Sequence, residues 1–126
     1  MDIIDTHAHL DDERFDGERA DVLQRAAEAG VGSVLCVGTT VESSRRAVEL
    51  AREFPGQVYA AVGVHPNRAA EAGQEAMGTI SQLAMGPEVV AIGETGLDYY
   101  HDYTPPDEQK RWFRAHIELS RPLRKP

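Results

Sequence analysis

The chain has 126 residues, 41% hydrophobic and 27% charged, a size for one domain and well short of the ~250 residues of a closed eight-unit (β/α) barrel. Its net charge of −8 argues against holding nucleic acid through a basic surface, unless bound cations supply the positive charge. No apolar run approaches the ~20 residues of a membrane-spanning helix, the start lacks a leader pattern, and the single cysteine, Cys36, excludes an intrachain disulfide; a reducing, cytoplasmic location is expected.

Taken in chain order, the elements alternate strand and helix. Ile3 and Ile4 form a brief buried strand that leads into DTHAHL (residues 5–10). After a polar stretch, residues 17–19 open a helix with Ala20, Val22, Leu23, Ala26 and Ala27 apolar, and Gly30 ends it. Residues 31–37 (VGSVLCV) are a nearly continuous apolar run, the pattern of a parallel strand covered on both faces. Thr39 or Thr40 can cap the next helix, residues 41–54, which Pro55-Gly56 stops. Residues 58–64 (VYAAVGV) predict a third strand, followed by His65-Pro66. An alanine-rich helix is expected over residues 71–85, broken by Gly86-Pro87, then a fourth strand over 89–92. A long loop, residues 93–100, precedes a last helix from Pro105-Pro106 to about Arg121. Such βαβ alternation carries a parallel sheet.

The chemistry gathers after the strands: His7 and His9, then Thr39 and Thr40, then His65, then Glu94 and Asp98. In parallel α/β folds, loops at the C-terminal strand ends converge on one mouth. In extended backbone, His7 and His9 point to the same side, ~6.6 Å apart, and can reach one metal or stand as an ordinary surface pair. Asp5 is either an acceptor that orients these ligands or a turn cap. Glu94 ends an apolar run between Gly93 and Gly96, where a carboxylate needs a partner, a metal or a salt bridge. His65 is either a donor to an anion or a structural loop residue. His101 reads as an exposed loop histidine or a substrate contact, His116 as a packing or solvent-facing residue, and Cys36 as a buried, inert thiol.

Together these motifs resemble the TatD family of metal-dependent deoxyribonucleases, within the amidohydrolase-like TIM barrels. The matching stretches are DTHAHL, VGTTVESSRRAVELA (residues 37–51), YAAVGVHP (59–66), AIGETGLDYY (91–100) and QKRWFRAHIELS (109–120), in family order across nearly the whole chain. The resemblance implies a TIM-type (β/α)8 barrel hydrolysing phosphodiester bonds of DNA with two divalent cations per intact site, Mg, Mn or Zn. By that correspondence His7 and His9 are metal ligands, and Glu94 is the bridging and catalytic carboxylate. His65 lies near the substrate, and Asp5 and Asp98 support the site. His116 departs from the family, which usually has a glutamine there.

The family's remaining ligands come from its second half. Residues 1–126 therefore read as an N-terminal half of about four β/α units, truncated before strand five. Such a piece is expected to hold an incomplete two-metal site, to be weak or inactive, and to self-associate through open sheet edges. Two other readings stay open: a related amidohydrolase-superfamily hydrolase of another ester or amide bond, and a non-catalytic metal-binding half-barrel that pairs with a partner chain.

Overall fold

The computed structural model describes residues 3–126. Four parallel strands, β1 (Ile3–Ala8), β2 (Val31–Val37), β3 (Val58–Val62) and β4 (Val89–Ile92), form one sheet in chain order. They alternate with helices α1 (Arg19–Glu28), α2 (Val41–Glu53), α3 (Ala76–Ala84) and α4 (Pro106–Leu123). This strand–helix arrangement is part of a TIM-type barrel. Among the described residues no helix is long and apolar enough to cross a membrane.

Local chemistry sets the boundaries. Gly30 takes φ +93°, which glycine adopts at no steric cost, and so turns the chain from α1 into β2. Thr40 and Ser43 build a reciprocal cap on α2: Thr40 Oγ1 accepts the Ser43 N–H at 3.1 Å, and Ser43 Oγ accepts the Thr40 N–H at 3.0 Å. Pro106, Asp107 and Glu108 fill the first turn of α4, where a missing N–H and negative charge both suit the helix start.

The core lies between the sheet and α2. Ala47, Val48, Leu50 and Ala51 bury against Val34, Cys36, Val58, Ala60 and Val62, with Ile80 and Ala84 of α3 beside them.

Several expectations need correction. The first strand extends through Ala8 and is not buried: Ile3 is 53% and Ile4 62% exposed. Among the described residues it is an edge strand that pairs with β2 alone. The start of β2 is likewise partly open, and only its second half is buried. The helix expected over 71–85 splits. A 3-10 segment, Pro66–Glu71, comes first, Ala72 is extended, and α3 begins at Ala76. Pro66 and the His65 cap start the tighter turn, and Gly73 is a poor residue for continuing a helix. The last helix runs to Leu123, beyond the expected Arg121, with Pro122 tolerated in its final turn.

Beyond α4 the chain returns to the sheet. Ile92 N–H donates to the Pro126 carbonyl at 2.7 Å, on the outer edge of β4. Lys125 Nζ fixes this return by donating to the Gly86 carbonyl at 3.1 Å and the Ala84 carbonyl at 2.5 Å.

Candidate metal centre

The site is built where the sheet's C-terminal ends meet. His7 lies near the end of β1 and His9 just beyond it, their rings edge to face with centroids 5.2 Å apart. His9 Nδ1–H donates to the Val37 carbonyl at 2.9 Å, which leaves Nε2 as the lone-pair nitrogen facing Glu94. Asp5 Oδ1 accepts the His7 backbone N–H at 3.0 Å within β1, so its hydrogen bond is to the His7 backbone.

Glu94 is placed by three backbone relationships. Its N–H donates to the Gly38 carbonyl at 2.9 Å, and the Gly93 N–H donates to the Val62 carbonyl at 2.9 Å. Gly63 makes room: a Cβ there would lie 2.6 Å from the Gly93 carbonyl carbon and 2.9 Å from the Glu94 backbone carbonyl oxygen. Gly63 is itself held by buried Ser44, whose Oγ accepts from Gly63 N–H and donates to Gly63 O, both at 3.1 Å. A side chain at Gly38 would collide with Ser44. Neither Ser44 nor Gly63 was marked by the sequence pattern, because neither carries chemistry of its own.

The Glu94 carboxylate therefore sits among three imidazoles. Oε2 lies 3.4 Å from His7 Nε2 and 3.9 Å from His9 Nε2, and Oε1 lies 3.3 Å from His65 Nε2. His65 differs from the other two. Its Nδ1 accepts the Asn67 N–H at 3.0 Å, so the neutral ring carries its proton on Nε2 and presents a donor.

Asp98 stands apart from this group. Its carboxylate accepts from Tyr100 N–H, His101 N–H and His101 Nδ1, at 2.9, 3.1 and 2.8 Å. The His101 hydrogen bonds hold it down at about 2. Gln109, buried in α4, pins the Asp98 backbone by accepting from its N–H and donating to its carbonyl, at 2.9 and 2.7 Å. Cys36 is an inert thiol: burial, then the nearby Asp11 carboxylate, pushes it up to about 12. His116 is a packing residue, buried, with Nδ1–H donating to the Trp112 carbonyl at 2.7 Å and Nε2 accepting the Val64 N–H at 3.0 Å.

The family model for TatD related DNase matches residues 4–126. The chain belongs to the TatD-related DNase family.

Among TatD relatives, the "3'-5' ssDNA/RNA exonuclease TatD" of Musicola paradisiaca is 38% identical over 98% of this chain and 47% of its own length. The "Uncharacterized metal-dependent hydrolase YabD" of Bacillus subtilis is 39% identical over 98% of this chain and 48% of its own. The crystal structure of YJJV, a TatD homolog from Escherichia coli, superposes with TM-score 0.90 at 33% identity, covering 98% of this chain and 48% of that one. The chain thus spans about half the length of the TatD relatives it matches.

The donor set fits a cation. His7, His9 and Glu94 each offer a ligand atom, all within 4.8 Å of one another, close to the ~4 Å across which N and O ligands face each other around a first-row cation. Two neutral imidazoles and a carboxylate suit zinc or manganese, and the carboxylate also suits magnesium.

Proposed function

We propose that this chain carries the N-terminal part of a metal-dependent phosphodiesterase site acting on DNA in the cytoplasm. The single observation that carries the reading is the convergence of His7, His9 and Glu94, with His65 aimed at the same carboxylate from the other side.

His7, His9 and Glu94 would hold a divalent cation, Mg, Mn or Zn. When bound, a cation polarises a phosphoryl oxygen and eases formation of a hydroxide nucleophile. His9 is held in its ligating tautomer by Val37, and Glu94 in position by Gly38 and the space above Gly63. His65 Nε2–H supplies the donor: it orients Glu94 and reaches a phosphate oxygen brought beside it. Attraction to the substrate comes from the cation, which reconciles phosphate binding with a charge of −8.

Among the described residues only these three donors gather as a metal group. The 126-residue chain by itself then holds one cation, not a complete pair, and cleaves weakly. The exposed edge of β1, with Ile3 and Ile4 open, favours self-association.

The test is a divalent-metal titration followed by product analysis on single-stranded DNA, with ester and amide substrates in parallel. Metal-dependent DNA cleavage abolished by Glu94→Ala is the expected result. Hydrolysis of the ester or amide substrates without DNA cleavage would replace the reading with a related hydrolase. Absence of metal binding would remove the enzyme reading altogether.

A further inference from the structure

Next to the metal centre lies a cavity of about 570 Å³, lined by Thr39, His65, Asn67, Arg68, Glu71 and Tyr103. His65 belongs to both, since its Nε2 is 3.3 Å from Glu94. A group entering this cavity is therefore one residue's width from the reacting phosphate.

The cavity's lining includes a braced aromatic ring. Tyr103 stacks on His101 with ring centroids 5.4 Å apart and planes 13° from parallel. His101 cannot turn freely, because its Nδ1 is bonded to Asp98 at 2.8 Å, and Gln109 clamps the Asp98 backbone and donates to Thr104 O at 3.0 Å. Tyr103 is nevertheless 65% exposed, and it lines the cavity. Of the chain's 4 tyrosines, Tyr99, Tyr100 and Tyr103 lie in this loop, all exposed. Contiguous exposed aromatic surface beside a cavity is a common mark of a binding site.

The charge balance narrows that partner. Arg68 is the one cation in the lining, and it is paired with Glu71 at 3.4 Å. A net charge of −8 gives no favourable overall field for a polyanion. Base stacking on an aromatic ring needs no net positive charge and tolerates any base sequence.

We propose that this cavity is a nucleobase subsite, in which the base adjoining the phosphodiester at Glu94 stacks on Tyr103 while His101 braces the ring from behind. The proposal rests on the phosphodiesterase reading. It gives Asp98 a positioning role: Asp98 sets the stacking platform by holding His101.

The test is equilibrium binding, in chelator and without divalent metal, of a deoxyadenosine pentanucleotide and an abasic strand of the same length. The base-bearing strand is expected to bind roughly tenfold more tightly. Tyr103→Ala should erase that difference, and Tyr103→Phe should keep it. Equal binding of the two strands, no binding of either, or an unchanged preference in Tyr103→Ala overturns the subsite. Metal-dependent cleavage of the abasic strand reports on the phosphodiesterase reading alone, so that reading can stand while the subsite falls.

Discussion

His65 Nε2 stands 3.3 Å from Glu94 Oε1, and His65 Nδ1 is already committed to the Asn67 N–H. The Asn67 bond makes Nε2 the protonated nitrogen of a neutral ring, so His65 faces Glu94 with a donor where a metal ligand would present a lone pair, although it lies as close to Glu94 as His7 does. His9 shows the opposite commitment, with Nδ1–H given to Val37 and Nε2 left bare.

Metal affinity separates these roles. His7→Ala and Glu94→Ala each remove a donor atom and should weaken Co²⁺ or Zn²⁺ binding by more than the roughly 10–100-fold that outer partners are worth. His65→Gln should leave affinity within about that outer-partner range while lowering cleavage on the order of 100-fold. Competition against a chromogenic chelator reads the first quantity and product release the second. Loss of metal from His65→Gln as severe as from His7→Ala would show that His65 is a ligand.

Gly63 tests how Glu94 is placed. A Cβ at this position would lie 2.6 Å from the Gly93 carbonyl carbon, so the backbone carrying Glu94 must move. Gly63→Ala should cost about 1–3 kcal/mol of stability, seen as a lower urea midpoint, and should also reduce metal affinity in the protein that remains folded. Unchanged metal binding together with unchanged stability would mean that the strand end yields freely.

Cys36 should resist alkylation in the native protein. Burial and Asp11 push its thiol up to about 12, so at mildly alkaline pH almost none is thiolate, the reactive form. Iodoacetamide should label it slowly in buffer and rapidly in denaturant, read by intact mass. Fast native labelling would indicate that the α2-facing side of β2 opens readily.

Much of this candidate site is legible in the sequence because the candidate ligands announce themselves chemically. His7 and His9 share a side through strand periodicity, and Glu94 ends an apolar run where an unpaired carboxylate has no reason to be. The shared mouth followed from the order of strands. What stayed hidden was positioning done by residues without distinctive chemistry. Gly63 acts by lacking a side chain, Ser44 by a hydroxyl pair to one peptide unit, and Gln109 by spanning from α4 to a loop. An open sheet edge is expected of four β/α units, but Ile3 and Ile4 look like core in sequence and lie exposed on that edge.

His116 offers a prediction in which chemistry and pH meet. Its ring is buried and neutral, donating from Nδ1 to Trp112 O and accepting at Nε2 from Val64 N–H. Burial lowers its pKa below the ordinary 6.5. The unfolded chain therefore takes up a proton at a pH where the folded chain does not. Folding stability is full above about 6.5 and falls as pH drops toward the folded value, the sense required when the unfolded state binds more protons. A glutamine, the residue the TatD pattern usually has here, offers the same pair: an amide N–H for Trp112 O and a carbonyl for Val64 N–H. His116→Gln should then match the wild type near neutral pH and lose less stability between about pH 7.5 and about pH 5. The two proteins differ only at residue 116, so the difference between the two urea-midpoint curves isolates His116. His116→Ala, which leaves Val64 N–H buried without a partner and opens a cavity, should instead cost about 2–4 kcal/mol at every pH. Parallel curves for wild type and His116→Gln would show that acid sensitivity arises elsewhere.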